Sequence, residues 1–173
     1  MVSMRKSFWV ARGILYRAYL GRIGWGSYLG RPTFVLGARS VYLGARVRIF
    51  PGARLEVHGG GQIVIADNVS IAQNVHITAM GKLEIGEGTR IAPNVALTDI
   101  DHDYSRVAEP GFAAWDRFTR TCIGARCFIG AGAVILPGTT LGQGSIVGAN
   151  SVVRGEYPPG TVLGGSPARR IKS

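Results

Sequence analysis

His102 stands in the run Thr98-Asp99-Ile100-Asp101-His102-Asp103-Tyr104, with a carboxylate on either side. An imidazole titrates at about 6.5 when unperturbed, so it can take a proton from a hydroxyl while a neighbouring carboxylate or carbonyl fixes its tautomer. That is the chemistry of a general base. A lone loop histidine is more often a solvated side chain, and that reading stands beside the first. A second feature is the basic end Ala168-Arg169-Arg170-Ile171-Lys172, with Arg154 upstream. Guanidinium forks match phosphate geometry, so this segment is either an anion clamp or a solvated tail.

Charge alone does not choose the anion. The chain has 20 Lys and Arg against 10 Asp and Glu, a formal net charge of +10. Such a surface attracts nucleotide cofactors, phosphorylated glycans, acidic lipids or nucleic acid. Nucleic acid ranks low, because the arginines are scattered and no helix-turn-helix, zinc-finger or aromatic RNA-binding signature is found.

Cys122 and Cys127 are too few for a disulfide framework or a complete zinc site, and Cys127 falls where a small inward-facing side chain is wanted. Free thiols and no metal are expected. His58 and His76 are weighed as zinc ligands with His102 and set aside. In the register His76 closes one strand and His102 a different one, which puts them at separate corners.

The elements that must position these residues follow from a repeat of six. Ile65-Ala66-Asp67-Asn68-Val69-Ser70 is followed by Ile71-Ala72-Gln73-Asn74-Val75-His76, and further units open at Ile77, Ile85, Ile91 and Leu97. After an interruption the period resumes at Ile123, Ile129, Ile135, Leu141, Val147 and Val153, and Leu29, Leu43, Ile49 and Leu55 open earlier, less regular units. An aliphatic residue leads each unit, and position five is small or β-branched, as in Val69, Val95, Cys127, Ala133, Thr139 and Ser151. Each unit is a short strand with a turn. Three of them bring the chain round once, so leading aliphatics of successive coils stack at roughly 4.8 Å as rungs of parallel sheet.

Two extra-residue breaks, His58-Gly59-Gly60-Gly61-Gln62 and Ala79-Met80-Gly81-Lys82, are expected as bulged turns, with the border of a substrate groove as the alternative for the second. The largest interruption is a loop over 98–122, and long loops on rigid scaffolds tend to be functional. Residues 3–20 lack the period and are expected to form a helix, aliphatic on one side and rich in aromatics and arginine on the other. Such a helix either covers the open end of the coil or lies on anionic headgroups. No segment approaches the roughly 18 consecutive apolar residues of a membrane span, so a cytoplasmic protein is expected, with peripheral contact at the inner face of the membrane if the helix binds lipid.

The all-β pattern resembles the left-handed parallel β-helix of the hexapeptide-repeat acyltransferases. The implied organisation is an N-terminal helical segment over 1–28 and a β-helix domain over 29–172 carrying the loop. Ile91-Ala92-Pro93-Asn94-Val95-Ala96-Leu97 with His102 downstream resembles the segment before the catalytic histidine of galactoside and maltose acetyltransferases. Those enzymes follow the histidine with proline, whereas Asp103-Tyr104 here is closer to the O-acetyltransferases of surface polysaccharide synthesis. The resemblance implies acetyl-coenzyme A as co-substrate, a homotrimer, and direct transfer to a sugar hydroxyl of a glycan with His102 as base. It places the pantetheine arm along Ala131 and Ala149 and the phosphates on Arg154, Arg169 and Lys172. Asn74, Asp101, Tyr104 and Trp115 are expected to meet the acceptor. N-acetylation of an amino sugar and a non-catalytic assembly β-helix are the alternatives.

Overall fold

The computed structural model describes residues 16–102 and 117–171. The helix expected over 3–20 lies largely outside them. The described chain winds into a parallel β-solenoid with three faces, whose sheets contain seven, eight and six strands. Pairing runs from coil to coil: on the third face Phe34–Leu36 pairs with Arg54–Val57, which pairs with His76–Ala79, Ala96–Thr98 and onward to Val134–Ile135 and Val152–Val153. The first rung, Arg22–Ile23 against Val41–Leu43, precedes the regular repeats.

The leading aliphatics all point inward, and Ile65, Ile71, Ile77, Ile85, Ile91, Leu97, Ile123, Ile129 and Ile135 are buried in one continuous column. Each fully buried aliphatic contributes about 1.5–3 kcal/mol relative to exposure, an amount no isolated six-residue unit can collect. The position-five residues Val69, Val95, Cys127, Ala133, Thr139 and Ser151 are buried at the corners. At several corners that residue is a threonine whose hydroxyl donates to a backbone carbonyl. Thr89 donates to Gly124 (2.8 Å), Thr121 to Thr98 (2.9 Å) and Thr161 to Pro158 (2.7 Å), so burial leaves no unmet donor there.

The corner between the second and third faces requires a left-handed residue. Asn74 and Asn94 take it with φ of 58° and 59°, and the Asn74 side-chain amide N–H donates to the side-chain Oδ1 of Asn94 (3.3 Å) as a ladder. Cys122 and Cys127 are free thiols. Among the described residues no helix is long and apolar enough to cross a membrane.

Candidate functional site

The loop over 98–122 departs from the third face, and the sequence builds it a platform. Asp99 follows the last strand residue and is fully buried. Its carboxylate accepts the backbone N–H groups of Met80 (2.7 Å) and Gly81 (3.0 Å), so the residues expected as a plain bulge hold the base of the loop. Burial pushes the Asp99 carboxyl above its ordinary value, while those backbone donors pull it back toward the ionised form. Ile100–Asp101 then pairs antiparallel with the returning strand Arg117–Phe118. The Phe118 ring lies so close to Gly81 that a Cβ there would sit 2.3 Å from it, which is why the bulge carries glycine.

This hairpin directs His102 over the third face rather than round the coil. A cavity of about 460 Å³ results, lined on one side by Asp101, His102 and Arg154 and on the other by Arg54, Glu56 and His76. His102 and His76 therefore share a cavity instead of occupying separate corners. Counting along the repeat misses this because the chain leaves the coil after Thr98 and returns along its own face. Asp101 accepts the His102 backbone N–H (3.1 Å) through one oxygen and the Arg154 guanidinium through the other.

Facing it, Glu56 is almost wholly buried, an outward-pointing carboxylate that sequence reading passed over. Its Oε1 lies 2.7 Å from His76 Nε2, its Oε2 3.5 Å from His58 Nε2, and Arg54 donates to it as well. Burial pushes this carboxyl up, but the Arg54 and His76 hydrogen bonds outweigh it and hold the carboxyl below its usual range. Matching coil to coil, with Arg54 opposite His76 and Glu56 opposite Thr78, is the signal that finds the cluster. Among the described residues no group of three or more His, Cys, Asp or Glu side chains is arranged to hold a metal ion.

The other expected site residues separate into groups. Arg154 pairs with Asp101 at the cavity. Ala131 and Ala149 are exposed on the corner turns after the second face, where the Ala131 carbonyl accepts the Asn150 N–H (2.8 Å). Arg169 is exposed on Ala168–Arg170, opposite Gly164 in the closing antiparallel pair. Asn74 stands at its corner in the amide ladder. Tyr104, Trp115 and Lys172 lie outside the described residues. Burial pushes the Cys127 thiol up, which opposes any nucleophilic role.

Residues 120–154 match the family model described as the hexapeptide repeat of succinyl-transferase. A protein of Escherichia coli strain K12 named as a lipopolysaccharide biosynthesis O-acetyl transferase, WbbJ, is 35% identical over 148 residues, covering 82% of this chain and 76% of that protein. Nodulation protein L of Rhizobium meliloti strain 1021 is 40% identical over 110 residues, covering 64% of this chain and 59% of that protein. Among solved structures, the N-acyltransferase AntD from Bacillus cereus, in complex with dTDP and 3-hydroxybutyryl-CoA, superposes with a TM-score of 0.80 at 20% identity, covering 94% of this chain and 87% of that one. The chain belongs to the hexapeptide-repeat acyltransferase family, and it is an acyltransferase.

Proposed function

We propose that the chain transfers an acetyl group from acetyl-coenzyme A to a sugar hydroxyl of a glycan or glycan precursor, on a left-handed coil assembled as a homotrimer. His102 takes the hydroxyl proton as the oxygen attacks the thioester carbonyl. The C–S bond breaks, and coenzyme A leaves as the thiol. The single observation that carries this reading is His102 at the edge of a 460 Å³ cavity, at the end of a hairpin held by the buried Asp99. Ala131 and Ala149 would take the pantetheine arm, with Arg169 and Lys172 on the phosphates and Arg154 on the cavity side. The acceptor side would include Asp101, Tyr104 and Trp115, with Asn74 at the adjoining corner.

Transfer to oxygen is favoured over transfer to nitrogen by the cavity's charges. An amino sugar arrives as an ammonium ion and needs a carboxylate to receive it. Among the described lining residues the carboxylates are Glu56 and Asp101, and each is already paired with an arginine. The name of the Escherichia coli relative, an O-acetyl transferase, agrees with this preference. Support for the trimer comes from Phe128 and Ile146, neighbours on the second face that are 46% and 44% exposed. An apolar pair on a sheet surface is the kind of patch that a second subunit covers.

The test is His102→Ala assayed with radiolabelled acetyl-coenzyme A against a panel of nucleotide sugars and lipid-linked glycans. Loss of a general base lowers turnover by at least about a hundredfold. The melting temperature stays near wild type, because His102 is outside the buried column. Turnover close to wild type would remove His102 from the role.

A further inference from the structure

The mechanism above leaves unused the wall of the cavity opposite His102. There the strands Arg54–Val57 and His76–Ala79 run for four residues, so each presents two outward side chains: Arg54 with Glu56, and His76 with Thr78. Glu56 has a side chain only 8% exposed, against 43% for His76. The stability of the sheet does not require this arrangement. A buried carboxylate carries a desolvation cost that an apolar side chain avoids, and such clusters are weak evidence for stability.

The contacts also exclude one chemistry. The Thr78 hydroxyl lies 2.8 Å from His76 Nε2, and Glu56 meets that same nitrogen at 2.7 Å. A nucleophile relay needs hydroxyl and carboxylate on opposite ring nitrogens, so Thr78 is not activated by this pair. A carboxylate on Nε2 keeps the proton on that nitrogen and leaves Nδ1 as an acceptor. No described group occupies Nδ1. The next residue on the column, in register with His76, is Ala96, so no large neighbour covers the ring on that side.

We infer that His76 is a specificity-determining residue, whose Nδ1 accepts a hydrogen bond from a second hydroxyl of the acceptor, and that Glu56 is the positioning residue that fixes its tautomer. The substrate class is narrowed to sugars with a second free hydroxyl besides the one acetylated. This rests on the acceptor reading proposed above. A site built to receive a hydroxyl rejects the analogue that lacks it far more strongly than a purely apolar pocket rejects a change of size.

Two measurements on the full chain test the inference. The first is nuclear magnetic resonance of ring-labelled histidine, simplified because the chain contains only three histidines. Wild-type His76 carries its proton on Nε2. The charges around the ring are Arg54, Glu56 and His58 from its own side and Asp101, His102 and Arg154 across the cavity. Of these, the Glu56 carboxylate contacts it directly, so in Glu56→Leu, which removes the acceptor from Nε2, the preference for the Nε2-protonated tautomer is lost. A wild-type proton on Nδ1, or a tautomer unchanged in Glu56→Leu, would overturn the assignment without touching the role of His102.

The second measurement uses acetyl-coenzyme A with p-nitrophenyl glycosides of glucose, galactose and mannose and their monodeoxy analogues. For the glycoside that wild type acetylates best, one deoxy analogue, lacking a hydroxyl other than the one acetylated, loses at least about tenfold in kcat/KM, as expected for an unmet polar partner. In His76→Ala that discrimination disappears, while the KM for acetyl-coenzyme A is unchanged. His76→Asn serves as the second variant should alanine lower the melting temperature. Uniform loss across all analogues would reduce His76 to a structural residue. Loss of activity in His102→Ala with the His76 discrimination intact in wild type supports both readings. Full activity in His102→Ala with that discrimination intact defeats only the first.

Discussion

The coil from Cys122 to Val153 and the stretch from Arg54 to His102 use the same repeat but different outward chemistry. In the later stretch the strands Cys122–Ile123, Phe128–Ile129, Val134–Ile135 and Thr140–Leu141 are two residues long, and each shows a single side chain outward. In the earlier stretch the extra residues at 58–61 and 79–82 accompany four-residue strands on both sides of each break. Lengthening a strand by two leaves the buried register intact, because side chains alternate with a period of two. It adds one outward position per strand. The extension is therefore a way to gain polar wall without disturbing the core: Glu56 and Thr78 are the outward positions gained on the third face, and Gln62 and Lys82 those gained on the first.

If this division is right, the two regions share a core and differ only at the surface. Ile77→Ala beneath the cavity wall and Ile129→Ala in the regular coil should each lower the unfolding free energy by about 2–5 kcal/mol, the range for truncating a buried aliphatic. Both residues are fully buried. Denaturant midpoints at one fixed protein concentration give the comparison, since assembly would make stability depend on concentration. A cost for Ile77 well below that for Ile129 would break it, showing that the wall is loosely packed rather than built on the common column.

A smaller effect is expected where the platform is specific to the earlier region. Asp99→Asn keeps the shape of the side chain but replaces one acceptor with a donor aimed at the Met80 or Gly81 N–H. Leaving a buried donor unmet costs about 1–3 kcal/mol. Hydrogen exchange should show the amides of Met80 and Gly81 losing protection, while those of Phe128 and Ile129 remain unchanged. Equal loss in both regions would mean that Asp99 supports the whole coil and not the loop alone.

The sequence displayed the coil readily because the fold depends on inward positions, and those repeat. Ile65, Ile71 and Ile77 announce one another at a spacing of six, and Val69, Val95 and Cys127 mark the corners. The functional wall depends on outward positions in different coils, which no short period links. Glu56 and His76 are 20 residues apart and become neighbours only when the break at 58–61 is counted correctly. Asp99 looked like one more acid beside a histidine, since nothing local distinguishes a buried carboxylate from an exposed one. His102 was found through resemblance to a family motif. The turn that brings it over the same face as His76 is a property of the hairpin at Ile100–Asp101, which lies outside the repeat.

The smallest expected effect sharpens the comparison at the far end of the regular coil, where the surface is charged but not enclosed. Arg169 is exposed and, among the described residues, its guanidinium meets only the neighbouring Ala168 carbonyl (3.1 Å), unlike Arg54 and Arg154, which are paired with Glu56 and Asp101. A cation not engaged by a carboxylate is available to a phosphate. Replacing Arg169 and Lys172 together by alanine should raise the dissociation constant of coenzyme A by at least about tenfold, since each charged hydrogen bond contributes about 1.5–3 kcal/mol before losses to solvent. The acceptor KM should change little, because the cavity lies over the third face whereas Arg169 is on the sheet of the second. Calorimetry at low and high salt then separates two causes. Direct contacts retain most of their effect in salt, whereas long-range attraction by the net charge of +10 is screened over about 10 Å at 0.1 M. A loss that persists in salt identifies a phosphate clamp on the coil's end. A loss that vanishes assigns the cofactor's attraction to the basic surface as a whole, and unchanged binding makes the end a solvated tail.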